Sequence, residues 1–280
     1  MRLSHEPLPE SLAQRLAAPP GERLTLVWLG QAGWVIDGAG LRVVIDAYLS
    51  DSLVERYRGS PLDHRRLMPV PVPPDGIRHV DAVLGTHAHG DHLDPGTLPA
   101  LLAANPRAVL VAPAHSAADA LARSGIAPDR LRPIDAGQSL SVAPGLGVTA
   151  TRAAHESFET DAQGRHRWLG LALRLGGATL FHAGDTVAYD GQVEEVRALA
   201  ADLALLPVNG RGKGVPGNMT AVEALALGHA AGVGSVLLHH FGMFAFNTAP
   251  LVDIEALAAG AADLQAEPAR MGVEYRLGQG

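Results

Sequence analysis

The run Val80-Asp81-Ala82-Val83-Leu84-Gly85 reads as a buried strand, and it empties directly into Thr86-His87-Ala88-His89-Gly90-Asp91-His92. Core packing has no use for three imidazoles and a carboxylate, so the cluster reads as a candidate metal site. On a tight loop leaving a strand, His87 and His89 point the same way, while Asp91 and His92 continue around the turn. One short loop thereby offers ligands to two adjacent cations. Neutral imidazole is the commonest ligand of first-row transition metals, and a carboxylate is its hard anionic complement.

The chain has no cysteine, so disulfides and thiolate metal sites are excluded and any metal must be held by His, Asp or Glu. Its 280 residues suffice for one large core or two closely packed halves. We expect a single domain over 1–280, with residues 1–22 as an N-terminal extension. The apolar stretches are too short to span a membrane, and the start, Met1-Arg2-Leu3-Ser4-His5-Glu6-Pro7, lacks a signal-type hydrophobic run. A cytoplasmic protein without a membrane span is expected. A net charge of −7 argues against nucleic-acid binding. The 22 basic residues include one lysine, Lys213.

Residues 8–18 read as a short helix ending at Pro19-Pro20. Leu24 to Trp28, Trp34 to Ile36 and Leu41 to Asp46 form a meander around the turn Asp37-Gly38-Ala39-Gly40. The connection 50–79 is too rich in proline for regular structure. Beyond the histidine cluster, helices are expected at 95–104, 116–123, 190–201, 220–231 and 250–262. Strands are expected at 108–112, near 131–134, 138–142 and 146–152, and at 203–208, 236–239 and 273–277. Trp168 to Leu175 and Ala178 to His182 pair as a hairpin over Gly176-Gly177. Thr220 with Glu223 makes a capping box. The order of elements suggests a duplicated sheet-plus-helix unit.

One loop cannot complete a two-metal site. Further donors stand at strand ends: His155 after Val148 to Arg152, Asp185 after the strand ending in His182, and His239 and His240 after Val236-Leu237-Leu238. The series His87-x-His89-x-Asp91-His92, then His155, Asp185 and His239, resembles the metallo-β-lactamase superfamily. The segments Val27 to Gly33, Val80 to Leu84, His182-x-Gly184-Asp185 and Leu238-His239-His240 are similar to its L-ascorbate-6-phosphate lactonase-like branch.

The resemblance implies an α+β, αββα four-layer sandwich, two mixed β-sheets flanked by helices, with the site on one edge of the sheets. Carried over by position, it implies that His87, His89 and His155 bind a first metal, that Asp91, His92 and His239 bind a second, and that Asp185 bridges them. His240 is the alternative to His239 and is otherwise taken as a substrate contact; His182 is read as supporting or packing. The implied cofactors are two divalent ions, Zn²⁺ first, with Mn²⁺ or Fe²⁺ as alternatives.

Two such ions activate water at neutral pH, with Asp91 as the catalytic proton shuttle. The expected function is a metal-dependent hydrolase, a metal-bridged hydroxide attacking the lactone or ester bond of a small anionic metabolite. The alternative is a phosphodiesterase on cyclic nucleotides or phospholipid-like diesters, and a metal-stabilised binding protein is a third reading. Without a cysteine, a thiolate-type β-lactamase site is excluded. The partner is a small molecule, and a homo-oligomer stays open. The glycine-rich segment Asn209 to Asn218 offers Arg211 and Lys213 to an anionic group, with Arg58, Arg65 and Arg66 behind them. Trp34, Tyr48, Phe241 and Phe244 are aromatic candidates for which a core role is the first reading.

Overall fold

Covering a strand on both faces requires apolar side chains at consecutive positions, and Thr25 to Gly30 (TLVWLG) and Leu203 to Pro207 (LALLP) are buried throughout. The computed structural model describes residues 1–212 and 214–278. Strand β1 (Arg2–Pro7) and helix α1 (Leu12–Ala17) precede the meander β2 (Thr25–Gly30), β3 (Gly33–Gly38) and β4 (Leu41–Ile45). A five-residue helix, α2 (Ser52–Arg56), interrupts the proline-rich connection. Then come β5 (Ala82–Leu84), α3 (Leu98–Ala104), β6 (Val109–Pro113), α4 (Ala117–Ser124) and β7 (Leu131–Ile134). The second half carries β8 (Ser139–Ala143), β9 (Leu146–Arg152), β10 (Leu169–Leu175), β11 (Ala178–His182), α5 (Gln192–Ala198) and β12 (Leu203–Pro207). It ends with α6 (Ala221–Ala231), β13 (Ser235–His239), α7 (Leu251–Ala259), β14 (Gln265–Pro268) and β15 (Val273–Gly278).

The strands form two mixed sheets, ordered β1-β15-β2-β3-β4-β5-β6-β7 and β14-β13-β12-β11-β10-β9-β8. Each switches once from antiparallel to parallel pairing, at β4 in the first sheet and at β11 in the second. Alternate residues of one strand serve different layers. Leu26, Trp28, Trp34, Ile36 and Ile45 meet Leu171, Leu173, Leu205 and Leu238 between the sheets. Val27, Leu29, Val35 and Val44 turn outward and pack under Leu98, Leu101, Leu102 and Ala120 of α3 and α4. On the far side, Val196, Leu227 and Ile254 bring α5, α6 and α7 onto the second sheet. This is the expected arrangement of two mixed sheets flanked by helices.

Three details correct the expectations. The opening residues, expected as an extension, pair as β1 with β15 in register from Arg2↔Gly278 to Pro7↔Val273. β14 was not anticipated, and neither was α2. Among the described residues, no helix is long and apolar enough to cross a membrane.

Candidate metal centre

β5 stops at Leu84, and the chain folds back over it: the backbone N–H groups of His92 and Leu93 both donate to the His89 carbonyl, at 3.2 and 3.0 Å. Gly85 permits this return, since a Cβ there would stand 2.3 Å from Leu93 Cδ2. The loop presents His87, His89, Asp91 and His92 together. Asp185 arrives from the end of β11 through Gly184, whose φ of +63° and proximity to the Leu169 carbonyl (2.4 Å from an added Cβ) demand glycine. His240 arrives from the end of β13.

These side chains converge as two triplets. Ligand atoms of His87, His89 and Asp185 lie within 4.8 Å of one another, and so do those of Asp91, His92 and His240. Asp185 stands between them. Its Oδ2 is 4.0 Å from His87 Nε2, and its Oδ1 is 3.3 Å from His92 Nε2 and 3.0 Å from His240 Nε2. The last contact is close but not aligned as a hydrogen bond, and Asp185 Oδ1, His87 Nε2, His92 Nε2 and both His240 nitrogens lack hydrogen-bond partners although buried. His155 stands beside the first triplet, its ring 5.2 Å from that of His89.

A surrounding set of groups turns each donor inward. The Thr86 N–H and hydroxyl donate to the two oxygens of Asp46 at 2.9 and 2.6 Å, and Asp46 Oδ2 accepts from His92 Nδ1 at 2.7 Å. That bond fixes the His92 tautomer with Nε2 toward the site. Asn218 Oδ1 lies 3.2 Å from His155 Nδ1 and does the same for His155. Gln31 Nε2 donates to Asp91 Oδ2 at 2.8 Å. Asp46 takes a φ of +46°, which swings its carboxylate off the end of β4 beneath the loop.

Electrostatics divide the imidazoles. Burial, reinforced by His92 and His89, holds His87 well below the usual histidine range, and burial pushes His89 down to about 4. Both are therefore neutral, the form that ligates metals. Burial is the largest single cause at His92 and His240 and opposes their charge, but Asp185 together with Asp46 and Asp91 at His92, and with Asp91 at His240, outweighs it, so both titrate above their ordinary value. Asp185 itself is held well below the carboxylate range: burial opposes its charge, and His240 and His92 overcome that. The buried Asp185 carboxylate thus draws in positive charge, and inward-facing nitrogens with no partner are arranged around it. The residues fit divalent cations.

His239 is not among the converging donors. β13 ends at His239, which faces the space between the sheets, its ring 6.1 Å from Trp34 and 4.9 Å from His182. His240 then takes a φ of +65° and leaves the strand, its N–H donating to the Gln31 carbonyl at 3.0 Å. Only one of the two histidines faces the site, as alternation requires, but the strand end selects the second. His182 packs, bonding the Ala32 carbonyl at 2.9 Å through Nε2.

Arg211 is likewise placed elsewhere than expected: it pairs with Glu223 at 2.7 and 2.5 Å. Lys213 lies outside the described residues. Arg58 and Arg65 are exposed and paired with Glu55 and Asp63, and Arg66 donates to the carbonyls of Tyr48, Ser50 and Met68. Trp34, Tyr48 and Phe241 are core residues, whereas Phe244 reaches the site.

The donors floor a cleft of about 400 Å³. Its walls include Arg56, Arg123 and Arg167 and the rings of Tyr57, His64, Phe244 and Phe246, together with Val215 and Pro216 of the glycine-rich segment. Of these walls, sequence reasoning named Phe244 and the glycine-rich segment but missed Arg56, Arg123, Arg167, Tyr57, His64 and Phe246, and it missed the supporting roles of Asp46, Thr86, Gln31 and Asn218. A buried aspartate at a strand end was the one available signal.

Comparison with known proteins fits this geometry. The family described as "Beta-lactamase superfamily domain" matches residues 41–241. A UPF0173 metal-dependent hydrolase of Saccharolobus solfataricus is 29% identical over 186 residues, covering 66% of this chain and 72% of the relative. Among solved structures, a novel metallo hydrolase from the hyperthermophilic archaeon Ignicoccus hospitalis aligns with a TM-score of 0.66 at 20% identity, covering 91% of this chain and 99% of that one. An isothiocyanate hydrolase from Delia radicum gut bacteria aligns with a TM-score of 0.70 at 18% identity, with the same coverage. At such identities the two structures speak to the fold.

Proposed function

Because the chain belongs to the beta-lactamase superfamily, we propose that it is a metal-dependent hydrolase holding two divalent cations and cleaving an ester or lactone bond of a small anionic metabolite. The observation that carries this reading is the set of buried, inward-facing donors without hydrogen-bond partners around Asp185. His87, His89 and His155 would hold one cation and Asp91, His92 and His240 the other, with Asp185 shared. An all-nitrogen and oxygen set of this kind takes Zn²⁺, with Mn²⁺ or Fe²⁺ as alternatives.

Such cations, when bound, lower the pKa of water to about 7 and polarise the oxygen of the bond under attack. The protein's own groups do the rest. Asp91 has one oxygen pinned by Gln31, and its carboxylate takes the proton of the attacking water and returns it to the leaving oxygen. Asp46 and Asn218 keep His92 and His155 in one tautomer, so the floor is set before substrate arrives. A cleft of about 400 Å³ suits a small molecule rather than a polymer, and Arg56 on its wall favours a negative group.

Metal analysis and a substrate panel test the reading. Two ions per chain are expected after growth in supplemented medium, with turnover of lactones or esters in preference to bis-p-nitrophenyl phosphate. Turnover of the phosphodiester alone would replace this reading with the diesterase one, and a chain that takes up well under one ion would end both. Asp91→Asn should lose about 100-fold or more in kcat; full activity in that variant would remove Asp91 from proton transfer.

A further inference from the structure

Phe, Tyr and Trp are scarce in this chain, twelve in 280 residues, yet three of them meet on the cleft. Tyr57 stacks on His64 at 4.1 Å with planes 13° apart, and His64 stands edge-on to Phe244 at 5.1 Å and to Phe246 at 4.8 Å. Phe244 and Phe246 lie parallel at 5.8 Å. The four rings come from segments far apart in the chain, yet they line the cleft that also holds His89, Asp91, Asp185 and His240. Phe244 anchors the group on Tyr48, Leu53 and Met243, while Tyr57, His64 and Phe246 stay partly exposed, outside both sheet cores.

An apolar wall left open beside a reacting centre is hydrated at a cost until something apolar covers it. Two of the nearby cations are already engaged: Arg123 donates to the Ala88 and Leu93 carbonyls, and Arg167 pairs with Glu159 and lies over Trp168. Besides Arg56, His115 and Asp119, what the cleft offers a ligand is its rings.

We propose that the wall of Tyr57, His64, Phe244 and Phe246 receives an apolar acyl or aryl portion of the substrate, so that the preferred substrates are esters or lactones carrying an apolar group of several carbons. This rests on the hydrolase reading above and names the substrate class of the same site. Burial of such a chain yields about 0.8 kcal/mol per methylene, which is roughly a fourfold gain in kcat/KM for each carbon added until the wall is covered.

The experiment uses the metal-loaded full chain and p-nitrophenyl esters from acetate to octanoate. It is run beside calorimetric titration with butyrate and octanoate, which needs no turnover. A rise of about fourfold per methylene is expected, together with octanoate binding at least about tenfold tighter than butyrate. Phe246→Ala and, separately, Tyr57→Ala should cut the rise per methylene to about twofold or less and shrink the octanoate preference. A flat length profile with equal binding of the two carboxylates overturns the proposal and leaves the hydrolase reading standing, as does a length preference that neither variant alters. If no ester is turned over but octanoate is preferred and Phe246→Ala abolishes that preference, the apolar wall stands and the hydrolase reading falls.

Discussion

The two sheets furnish the centre in different ways. The first contributes one contiguous loop after β5 that carries His87, His89, Asp91 and His92, while the second contributes single residues from three separate strand ends, His155, Asp185 and His240. Clustered donors can be read from text because no packing argument competes for them. A strand-end donor depends on which residue is the last to pair, and a shift of one residue reverses the face. His239 still pairs opposite Pro207, and its neighbour has already turned into the left-handed region.

Replacing the two histidines in turn is the sharpest way to break this contrast. His240→Leu should lose one of two metal ions and more than about 100-fold in kcat/KM, exceeding what outer partners of metal ligands contribute. His239→Leu should keep both ions. His239 is buried with neither nitrogen bonded, so a similar-sized apolar side chain should leave stability unchanged or raise it by about 1 kcal/mol. Metal content and a denaturant midpoint on both variants decide it; loss of metal on replacing His239 would reverse the assignment.

A smaller effect separates the loop from what supports it. Asp46→Asn keeps the shape under the loop but gives up the charge that fixes the Nδ1 proton of His92. A loss of about 10–100-fold in metal affinity or activity is expected. Gln31 and Asn218 act in the same manner on Asp91 and His155 from more distant parts of the chain. None of these three was legible as functional, because a lone Asp, Gln or Asn has no spacing to betray it. Asp46 stood at a predicted strand end and was given no role there.

The layers of the fold were more legible than its edges. Nearly all strands and helices that cover or form a core fall where apolar runs and caps place them, down to the Thr220–Glu223 box at the start of α6. The missed strands lie at sheet edges. β1 buries one side chain, Leu3, and β14 reads Gln265-Ala266-Glu267-Pro268, so neither shows the alternation that a half-buried strand requires. Their pairing is supplied by β15 and β13, which no local pattern encodes. Helix α2 is five residues long and lies ahead of the prolines of its connection, too short for any periodicity to register.

The smallest expected effect concerns Arg211, whose position in a glycine-rich segment suggested a substrate contact. Its guanidinium is instead tied to Glu223, whose carboxylate also accepts the N–H of Thr220 at 2.8 Å. The hydrogen bond from Arg211 is the largest cause holding Glu223 down at about 2, from an ordinary 4.5. A depressed carboxylate stabilises the fold at pH values above its unfolded pKa, and that contribution fades as pH falls from about 4.5 through about 2. Arg211→Ala should therefore cost about 1 kcal/mol or less near neutrality, since the pair is partly open to solvent, and should leave kcat/KM where it was. Glu223→Gln should flatten the acid limb of the stability curve between about pH 4.5 and 2. If instead Arg211→Ala raises KM for an anionic substrate several-fold at unchanged stability, Arg211 contacts the substrate after all, and the glycine-rich segment contributes a charge to the cleft as well as the wall residues Val215 and Pro216.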